Sequence, residues 1–233
     1  KDLRNVEFEL PNKEKQRELA KVLWAMEATK KSYKKLLQKT DELVEAQFIE
    51  MFGDPNKATN TVHLEEAFQI RNDLRKPLND ATRSKMHTGE LYPYYGANGQ
   101  VDSINEYLMD CTALCLAEDC GEYGAGEATS YIVSGKCWVN NHAHVLIPRK
   151  CCNIEFANIY FKLLDMYKYV TGTTRLKLTQ GKLKEIPFML PPIDLQEEFA
   201  AFVKQGSKSK FELEQALAEL NATYKKIISE NLG

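Results

Sequence analysis

The stretch Phe188-Met189-Leu190-Pro191, followed by Gln196 and Glu198, decides how this sequence folds, because the chain contains it twice. Its first copy, Phe8-Glu9-Leu10-Pro11 followed by Gln16 and Glu18, stands 180 residues earlier and aligns without a gap. Further identities continue along both copies, at Ala20/Ala200, Lys30/Lys210, Leu37/Leu217 and Glu50/Glu230. Solenoid repeats have periods of about 20–50 residues. Two copies this far apart therefore indicate one structural element that frames a different module.

Both copies are predicted to be long helices. Asn12 follows Pro11 as a candidate N-cap, and no glycine or proline interrupts the chain before Gly53. Apolar residues then recur at three-four spacing, most regularly in the second copy, at Leu213, Leu217, Leu220, Tyr224 and Ile227. Gly206 and Ser207 are poor helix formers, so we expect a kink or break near residues 205–208. Because an apolar stripe this short is not stable alone, the helices should pack together, antiparallel.

The segment between the copies has a different pattern. Four short runs are rich in β-forming residues, and one helix is expected near residues 154–168; the runs are Ala113–Ala117, Ser130–Val133, Cys137–Val139 and Ala143–Ile147. The segment has roughly 130 residues, an ordinary domain size. The predicted fold class is therefore α+β. It consists of one mixed α/β domain flanked by two repeated helical segments that pair as an antiparallel helical hairpin or coiled coil.

The composition is that of an ordinary globular protein, with 43% hydrophobic and 27% charged residues and a net charge of −2. No apolar run reaches the 18 or so residues of a membrane span, and no signal-peptide pattern is present, so a cytoplasmic location is expected. The six cysteines form no CxxC pair and no zinc-ribbon spacing. We therefore expect buried thiols in a reducing compartment and no metal site.

Motifs of common enzyme classes are missing. Gly121, Gly124 and Gly126 lack the Lys-Ser/Thr pair of a phosphate-binding loop. His142 and His144 are two residues apart beside a predicted strand, so they lack the i,i+4 spacing of a helical metal pair. No nucleophile-elbow, amino-methyltransferase or nuclease signature is present. The sequence therefore favours a non-catalytic protein.

Three segments carry residues suited to a binding surface. The stretch from Arg71 to His87 has five Lys and Arg against two Asp, an excess that suits phosphate contact or an ordinary solvated surface. A tyrosine- and glycine-rich turn, 92–99, follows it, and Thr171–Leu178 adds hydroxyls and cations. Tyr and Asn side chains contact phosphates and base edges, although these tyrosines equally suit the core. The candidate DNA-binding residues are Arg71, Arg75, Lys76, Arg83, Lys85, Tyr94, Tyr95, Asn98, Arg175 and Lys177.

These segments together resemble a known family. The run 183–192, with Leu190-Pro191-Pro192 followed by Gln196, is similar to the end of a target recognition domain in the DNA-specificity subunits of type I restriction–modification enzymes. The segments 94–99 and 138–144 also resemble recurrent parts of such domains, which alternate with conserved helical regions. The resemblance implies that residues 1–11 are the tail of a missing preceding recognition domain, 12–53 the first conserved helical region, 54–185 the target recognition domain, and 186–233 the second conserved helical region.

The resemblance also implies a function. Each recognition domain of the family reads one half of a bipartite double-stranded DNA site, and the helices set the distance between the halves. The implied partners are methyltransferase subunits, which hold S-adenosylmethionine, and a restriction subunit, which hydrolyses ATP with Mg²⁺. This chain is then a non-catalytic subunit that binds none of these cofactors. With one recognition domain, it corresponds to the C-terminal half of such a subunit or a truncated form, and self-association of half subunits stays open.

Two readings from other classes also stay open. One is a protein–protein interaction scaffold whose middle domain binds a peptide or a glycan. The other is the recognition part of a fused restriction–methyltransferase enzyme whose catalytic part lies upstream.

Overall fold

The computed structural model describes residues 11–173 and 176–232. Two helices of 40 residues each, α1 (Lys13–Phe52) and α6 (Ile193–Leu232), flank a segment of short strands and helices. The chain forms two compact units, one of Lys1–Val44 with Val203–Gly233 and one of Glu45–Phe202. We call them the helical unit and the sheet unit. The predicted fold class is confirmed. Residues 1–10, most of the predicted tail of a preceding domain, lie outside the described residues.

The ends of α1 follow from its flanking residues. The Asn12 side-chain Oδ1 accepts a hydrogen bond from the Lys15 backbone N–H at 2.9 Å, which confirms Asn12 as the N-cap. At the other end, Gly53 has a positive φ of 86° and donates its N–H to the Ile49 carbonyl at 2.9 Å. A residue in this conformation closes a helix, and glycine adopts it without a steric penalty. The helix therefore begins and ends within one residue of the predicted segment 12–53.

The two helices of the helical unit are antiparallel, as predicted. The Lys30 ammonium lies 3.6 Å from the centre of the Tyr224 ring, and the Lys210 Nζ lies 2.7 Å from Asp41 Oδ1. Lys30 and Lys210 occupy the same position in the two copies of the repeat. Each reaches across to the opposite helix at a related position, so the sequence repeat becomes a pseudo-twofold relation between helices.

The break expected near residues 205–208 is absent from α6, which is one continuous helix. A Cβ atom at Gly206 would lie 3.3 Å from Val44 Cγ2 and 3.5 Å from Thr40 Cγ2. The glycine thus permits the close approach of α1, and this packing outweighs its helix-propensity cost of about 1 kcal/mol. The prediction of a break was wrong because it weighed propensity without the neighbouring helix.

The described residues of the sheet unit form ten short strands and four short helices. The helices are α2 (Leu64–Ala67), α3 (Asp80–Arg83), α4 (Ile154–Leu163) and α5 (Gln180–Lys184). The strands are β1 (Val62–His63), β2 (Phe68–Ile70), β3 (Tyr92–Gly96), β4 (Gly99–Ile104), β5 (Met109–Asp110), β6 (Ala113–Ala117), β7 (Ser130–Val133), β8 (Lys136–Val139), β9 (Ala143–Pro148) and β10 (Pro187–Phe188). Single 3₁₀ turns occur at Pro55–Lys57, Asn72–Leu74, Ser84–Met86 and Tyr167–Tyr169.

These strands form two four-stranded sheets and one short ribbon. The first sheet has the order β2-β9-β6-β7, with every neighbouring pair antiparallel. The second has the order β4-β3-β8-β5, in which β3 and β8 are parallel and the other pairs antiparallel. The strands β1 and β10 pair antiparallel and form the ribbon. The chain passes from the second sheet to the first between β8 and β9, through residues 140–142.

Three buried clusters join these elements. One lies between the two sheets and includes Cys115, Val145 and Val139, with Tyr95 packed beside it. A second, of Tyr94, Ile104 and Trp138, packs with Leu78 and Met86 on the other face of the second sheet. The third is aromatic and joins α4 to the adjoining residues of α1 and α6, through Phe48, Phe52, Phe156, Tyr160 and Phe199.

The cysteines are free thiols. Cys115 and Cys137 lie in the core between the sheets, as predicted, whereas Cys151 is exposed. Burial raises the pKa of the Cys115 thiol to about 12. Within the described ranges, no helix has the length and apolar content needed to cross a bilayer.

Candidate nucleic-acid interface

Five segments converge at one end of the two sheets, and we call this region the loop end. They are residues 71–76, the β3–β4 turn 97–98, the loop 118–129, the turn 140–142 and the described residues of the segment 171–178. Their convergence rests on hydrogen bonds: Lys76 N–H to the Val139 carbonyl (3.0 Å), Asn98 Nδ2 to the Ala128 carbonyl (3.0 Å), Arg75 Nη1 to the Ala143 carbonyl (3.1 Å) and Leu178 N–H to the Glu118 carbonyl (2.8 Å).

Strand direction explains the convergence. The strands β3, β6 and β8 end here, and β4, β7 and β9 begin here. The pairings within the two sheets hold these strand ends next to one another. Rigid strands thus hold five irregular segments side by side. Binding residues are commonly placed on loops supported in this way.

A buried carboxylate, Glu118, lies at the centre of the loop end. One of its oxygens accepts a hydrogen bond from Arg75 Nη1, and the other lies 2.8 Å from Lys177 Nζ. Its side chain is 10% exposed. Burial opposes ionisation of this carboxyl, but hydrogen bonds from Lys177 and Arg75 outweigh that effect and hold the pKa of Glu118 below its usual value.

A fully buried histidine lies next to this carboxylate. The amide of Asn72 donates to His144 Nδ1 (2.9 Å), so Nδ1 is the acceptor and Nε2 carries the proton, which it donates to the Leu178 carbonyl (2.7 Å). Asn72 Oδ1 in turn accepts the Val145 N–H (3.1 Å). Burial lowers the pKa of His144, which favours this neutral form. The network ties the 3₁₀ turn after β2 to β9 and to the segment before α5.

This network predicts a loss of stability at mildly acidic pH. The pKa of His144 in the folded state lies below its unfolded value of 6.5, so the unfolded chain takes up the proton first as pH falls. The pKa of Glu118 is also depressed, so its contribution is present above pH 4.5 and is lost below it. The free energy of unfolding should therefore fall below pH 6.5 and fall further below pH 4.5.

Urea unfolding measured between pH 4 and 8 checks this expectation. His144→Gln keeps a donor toward the Leu178 carbonyl but does not titrate, so its stability should vary less between pH 6.5 and 5 than that of the native chain. Equal slopes for the two proteins would show that His144 does not control this pH range.

Most of the candidate cations are paired with carboxylates. Arg71 pairs with Asp73 at 2.8 Å, and Arg83 pairs with Asp80 and with Asp102, both at 2.7 Å. Arg75 and Lys177 share Glu118. Among the described residues, no carboxylate lies within ion-pair distance of Lys76 or Lys85, and both are exposed. Arg175 lies outside the described residues.

The loop end brings together only some of the candidate residues. Arg71, Arg75, Lys76, Asn98 and Lys177 belong to it, and Tyr95 lies just beneath, stacked on Tyr131 at 5.6 Å. Asn98 is exposed in the β3–β4 turn. Arg83 and Lys85 lie instead with the elements that cover the outer face of the second sheet, where Arg83 lies 5.4 Å above the Tyr94 ring.

Tyr94 is a core residue with 1% exposure, and its hydroxyl accepts the Leu78 N–H at 3.3 Å. Its neighbour Tyr95 faces the cluster between the sheets, because successive strand residues point to opposite faces. The segment 92–99 comprises β3, a two-residue turn and the first residue of β4, where the sequence predicted a turn. Of this segment, the exposed turn residue Asn98 is the one best placed for contact.

Sequence reasoning missed Glu118, Asn72 and His144 as members of this region. One signal was available for Glu118, since it is an acidic residue directly after the wholly apolar strand β6. Asn72 and His144 are 72 residues apart and carry no motif.

The charge of the sheet unit is not that of a strongly basic DNA-binding domain. Between Glu45 and Phe202 the sequence has 15 Lys and Arg against 21 Asp and Glu, whereas the remainder has 16 against 12. Any phosphate contact by this unit must come from a few local cations.

The sheet unit and its loop end have a defined family, which comparison with known proteins gives. The family model described as "Type I restriction modification DNA specificity domain" matches residues 56–222. This chain belongs to that family.

Curated relatives agree with this assignment. A putative type I restriction enzyme specificity subunit of Haemophilus influenzae is 33% identical over 138 residues, which are 58% of this chain and 34% of the relative. The EcoprrI specificity subunit of Escherichia coli is 26% identical over 113 residues, 48% of this chain and 27% of the relative. The matched residues of this chain thus cover about a third or less of the length of these relatives.

Solved structures share the fold. The S subunit of a type I restriction–modification system from M. genitalium matches with a TM-score of 0.64 and 15% identity, over 95% of this chain and 62% of that one. The HsdS subunit from Thermoanaerobacter tengcongensis matches with a TM-score of 0.53 and 16% identity, over 94% and 58%.

Proposed function

We propose that this chain reads one half of a bipartite site in double-stranded DNA and carries methyltransferase subunits, and through them a restriction subunit. The observation that carries the proposal is the family match over residues 56–222, which includes the whole loop end. Loops supported by rigid strands suit the reading of base edges, while paired helices suit a spacer between two readers.

The chemistry is assigned to the partners. Methyltransferase subunits would hold S-adenosylmethionine, and the restriction subunit would hydrolyse ATP with Mg²⁺. This chain would select the site without catalysing either reaction. Exposed apolar residues on the helical unit offer docking positions for such partners, among them Trp24 (75% exposed) and Phe211 (58% exposed).

The repeat further supports a second reader at the start of α1. The Gln196 amide is fully buried; it donates to the Pro191 carbonyl (2.6 Å) and the Cys151 carbonyl (3.0 Å) and accepts the Asn153 N–H (2.8 Å). Gln16 makes the same local bond to the Pro11 carbonyl at 2.6 Å. It is only half-buried.

The apolar neighbours of Gln16 follow the same trend. Phe199 and Ala200 are buried, whereas Leu19 and Ala20 at the equivalent positions are half-buried. A further recognition domain packed on the first copy would cover the part of Gln16, Leu19 and Ala20 that is still exposed. That domain would belong to the same longer protein or to an associated half subunit.

The proposal is tested by isolating the full-length protein with its methyltransferase subunits and mapping the methylated bases in genomic DNA. We expect methylation at one bipartite sequence with an unread spacer of fixed length. Methylation without sequence preference, or a complex that ignores duplex DNA, would reject the proposal.

Only a few cations should contact phosphate, and single substitutions should distinguish them from cations that carboxylates hold. Lys76→Ala should lower the slope of log affinity against log salt concentration by about 0.9, because it removes an exposed, unpaired cation of the loop end. Arg83→Ala should leave this slope unchanged and cost about 1 kcal/mol of stability, because Arg83 is held by two carboxylates. Fluorescence anisotropy at several salt concentrations, with thermal unfolding alongside, measures both. If Arg83→Ala alone changed the slope, Arg83 would be the phosphate contact, contrary to this expectation.

The charge of the sheet unit favours one alternative. A domain with more acidic than basic residues also suits a scaffold that binds a peptide or a glycan. The methylation map separates the two functions, because a scaffold of this kind would leave no sequence-specific pattern.

A further inference from the structure

Glu118 is an unexpected residue at a surface proposed to meet DNA. A carboxylate repels phosphates, yet this one occupies the middle of the loop end and lies directly behind two of the cations. Its side chain is almost completely shielded from solvent by its partners. Burying a charge costs desolvation free energy, which the contacts of that charge must offset. The partners of Glu118 therefore indicate its role.

The contacts of Glu118 fix the main chain at Leu178 and the side chains of Arg75 and Lys177. Its backbone carbonyl accepts the Leu178 N–H at 2.8 Å, and its carboxylate binds Lys177 of the same segment. Thr171 and Lys177 close this segment with reciprocal backbone hydrogen bonds of 2.9 and 2.8 Å. The base of the segment is thereby attached to the end of β6.

The two cations keep unused donors after pairing with Glu118. Among the described residues, Glu118 is the one ion-pair partner of Lys177 Nζ, and the Lys177 side chain is 49% exposed. Arg75 uses only Nη1, which binds Glu118 and the carbonyls of Asn141 (3.3 Å) and Ala143 (3.1 Å). Its Nε and Nη2 have no acceptor among the described residues. One carboxylate therefore orients both cations and leaves them able to donate further.

We propose that Glu118 is a positioning residue for DNA reading: it holds Lys177, Arg75 and the base of the 171–178 segment in the arrangement that discriminates the target sequence. This inference rests on the proposed function. It predicts an effect opposite in sign to that of simple electrostatics. Removing a negative charge near a polyanion should by itself tighten binding to any duplex. Removing a positioning residue should weaken binding to the target sequence.

The test measures affinity for target and unrelated duplexes with the complex of the full-length protein and its methyltransferase subunits. For Glu118→Gln we expect target affinity to fall by about tenfold or more, the usual scale for a lost hydrogen bond to a charged group. Affinity for unrelated duplex should stay equal or rise, so the ratio of the two affinities falls. Glu118→Asp, which keeps the charge, should recover part of the ratio.

A matched control is Glu127→Gln, which removes an exposed carboxylate from the same loop. Its ratio of affinities should equal that of the native complex. Thermal unfolding identifies any variant that does not fold. For that case, Glu118→Gln is combined with Lys177→Gln. If Glu118 acts through Lys177 as well as Arg75, the loss of discrimination in the double variant should be smaller than the sum of the two single losses.

The outcomes distinguish a failure of the proposed function from a failure of the role of Glu118. A native complex that does not discriminate rejects the proposed function, and the role of Glu118 with it. A native complex that discriminates, with Glu118→Gln binding target and unrelated duplexes equally more tightly, rejects only the role of Glu118. Independent, additive losses in the double variant also reject it.

Discussion

Phe48→Ala should lower the free energy of unfolding of the sheet unit by about 3–5 kcal/mol, the usual cost of emptying a buried aromatic position. Phe48 has 0% exposure. Its ring centre lies 5.2 Å from that of Phe156, which belongs to α4, and 5.4 Å from that of Phe199, which belongs to α6. One side chain from α1 thus joins three helices, so its loss leaves a cavity that the helices cannot close without moving.

Urea unfolding followed by circular dichroism measures this cost. Ile49→Ala is the matched control, because Ile49 is the next residue on the same helix and is 47% exposed. The control should lose less than about 1 kcal/mol. Equal losses for the two variants would contradict the view that the aromatic cluster stabilises the sheet unit.

Inserting seven residues into each long helix should lengthen the preferred DNA spacer by about three base pairs. Seven residues add about 10.5 Å of helix, and a base pair occupies about 3.4 Å. A heptad preserves the face that each helix presents to the other, so the pairing seen at Lys30–Tyr224 and Lys210–Asp41 can persist. The insertions belong at equivalent positions, after Leu36 and after Ala216, to preserve the pseudo-twofold relation.

Selection of binding sites from a random duplex library, with the assembled complex, measures the spacer. Insertion into α1 alone is the control, because it shifts one helix against the other and should abolish binding or assembly. An unchanged spacer with both insertions in place would show that the helices do not set the distance between half-sites.

The local parts of the fold were predictable from the sequence. The strands β6 and β7 have the bounds of the predicted runs, and β8 and β9 are each one residue longer. The α1 boundaries followed from Asn12 and Gly53, and the pairing of the long helices followed from the repeat. In each case the deciding interaction lies within a few residues or within two aligned copies.

The errors came from distant neighbours. Gly206 predicted a break, but its missing side chain accommodates Val44. The sequence left Tyr94 as a candidate for a contact surface or for the core, and α3 and the turn after it bury this residue against Trp138. The Glu118 network joins residues more than 40 positions apart, such as Arg75 and Glu118, so no local pattern could reveal it.

The most direct test of the central claim is an exchange of the domain between the helices. Residues 54–185 are replaced, within the full-length protein, by the corresponding segment of a relative with a different target, and methylated sites are mapped with the methyltransferase subunits present. We expect one half of the methylated sequence to change to that of the relative, with the other half and the spacer unchanged. A methylated sequence that stays the same in both halves would contradict the claim that this domain reads DNA.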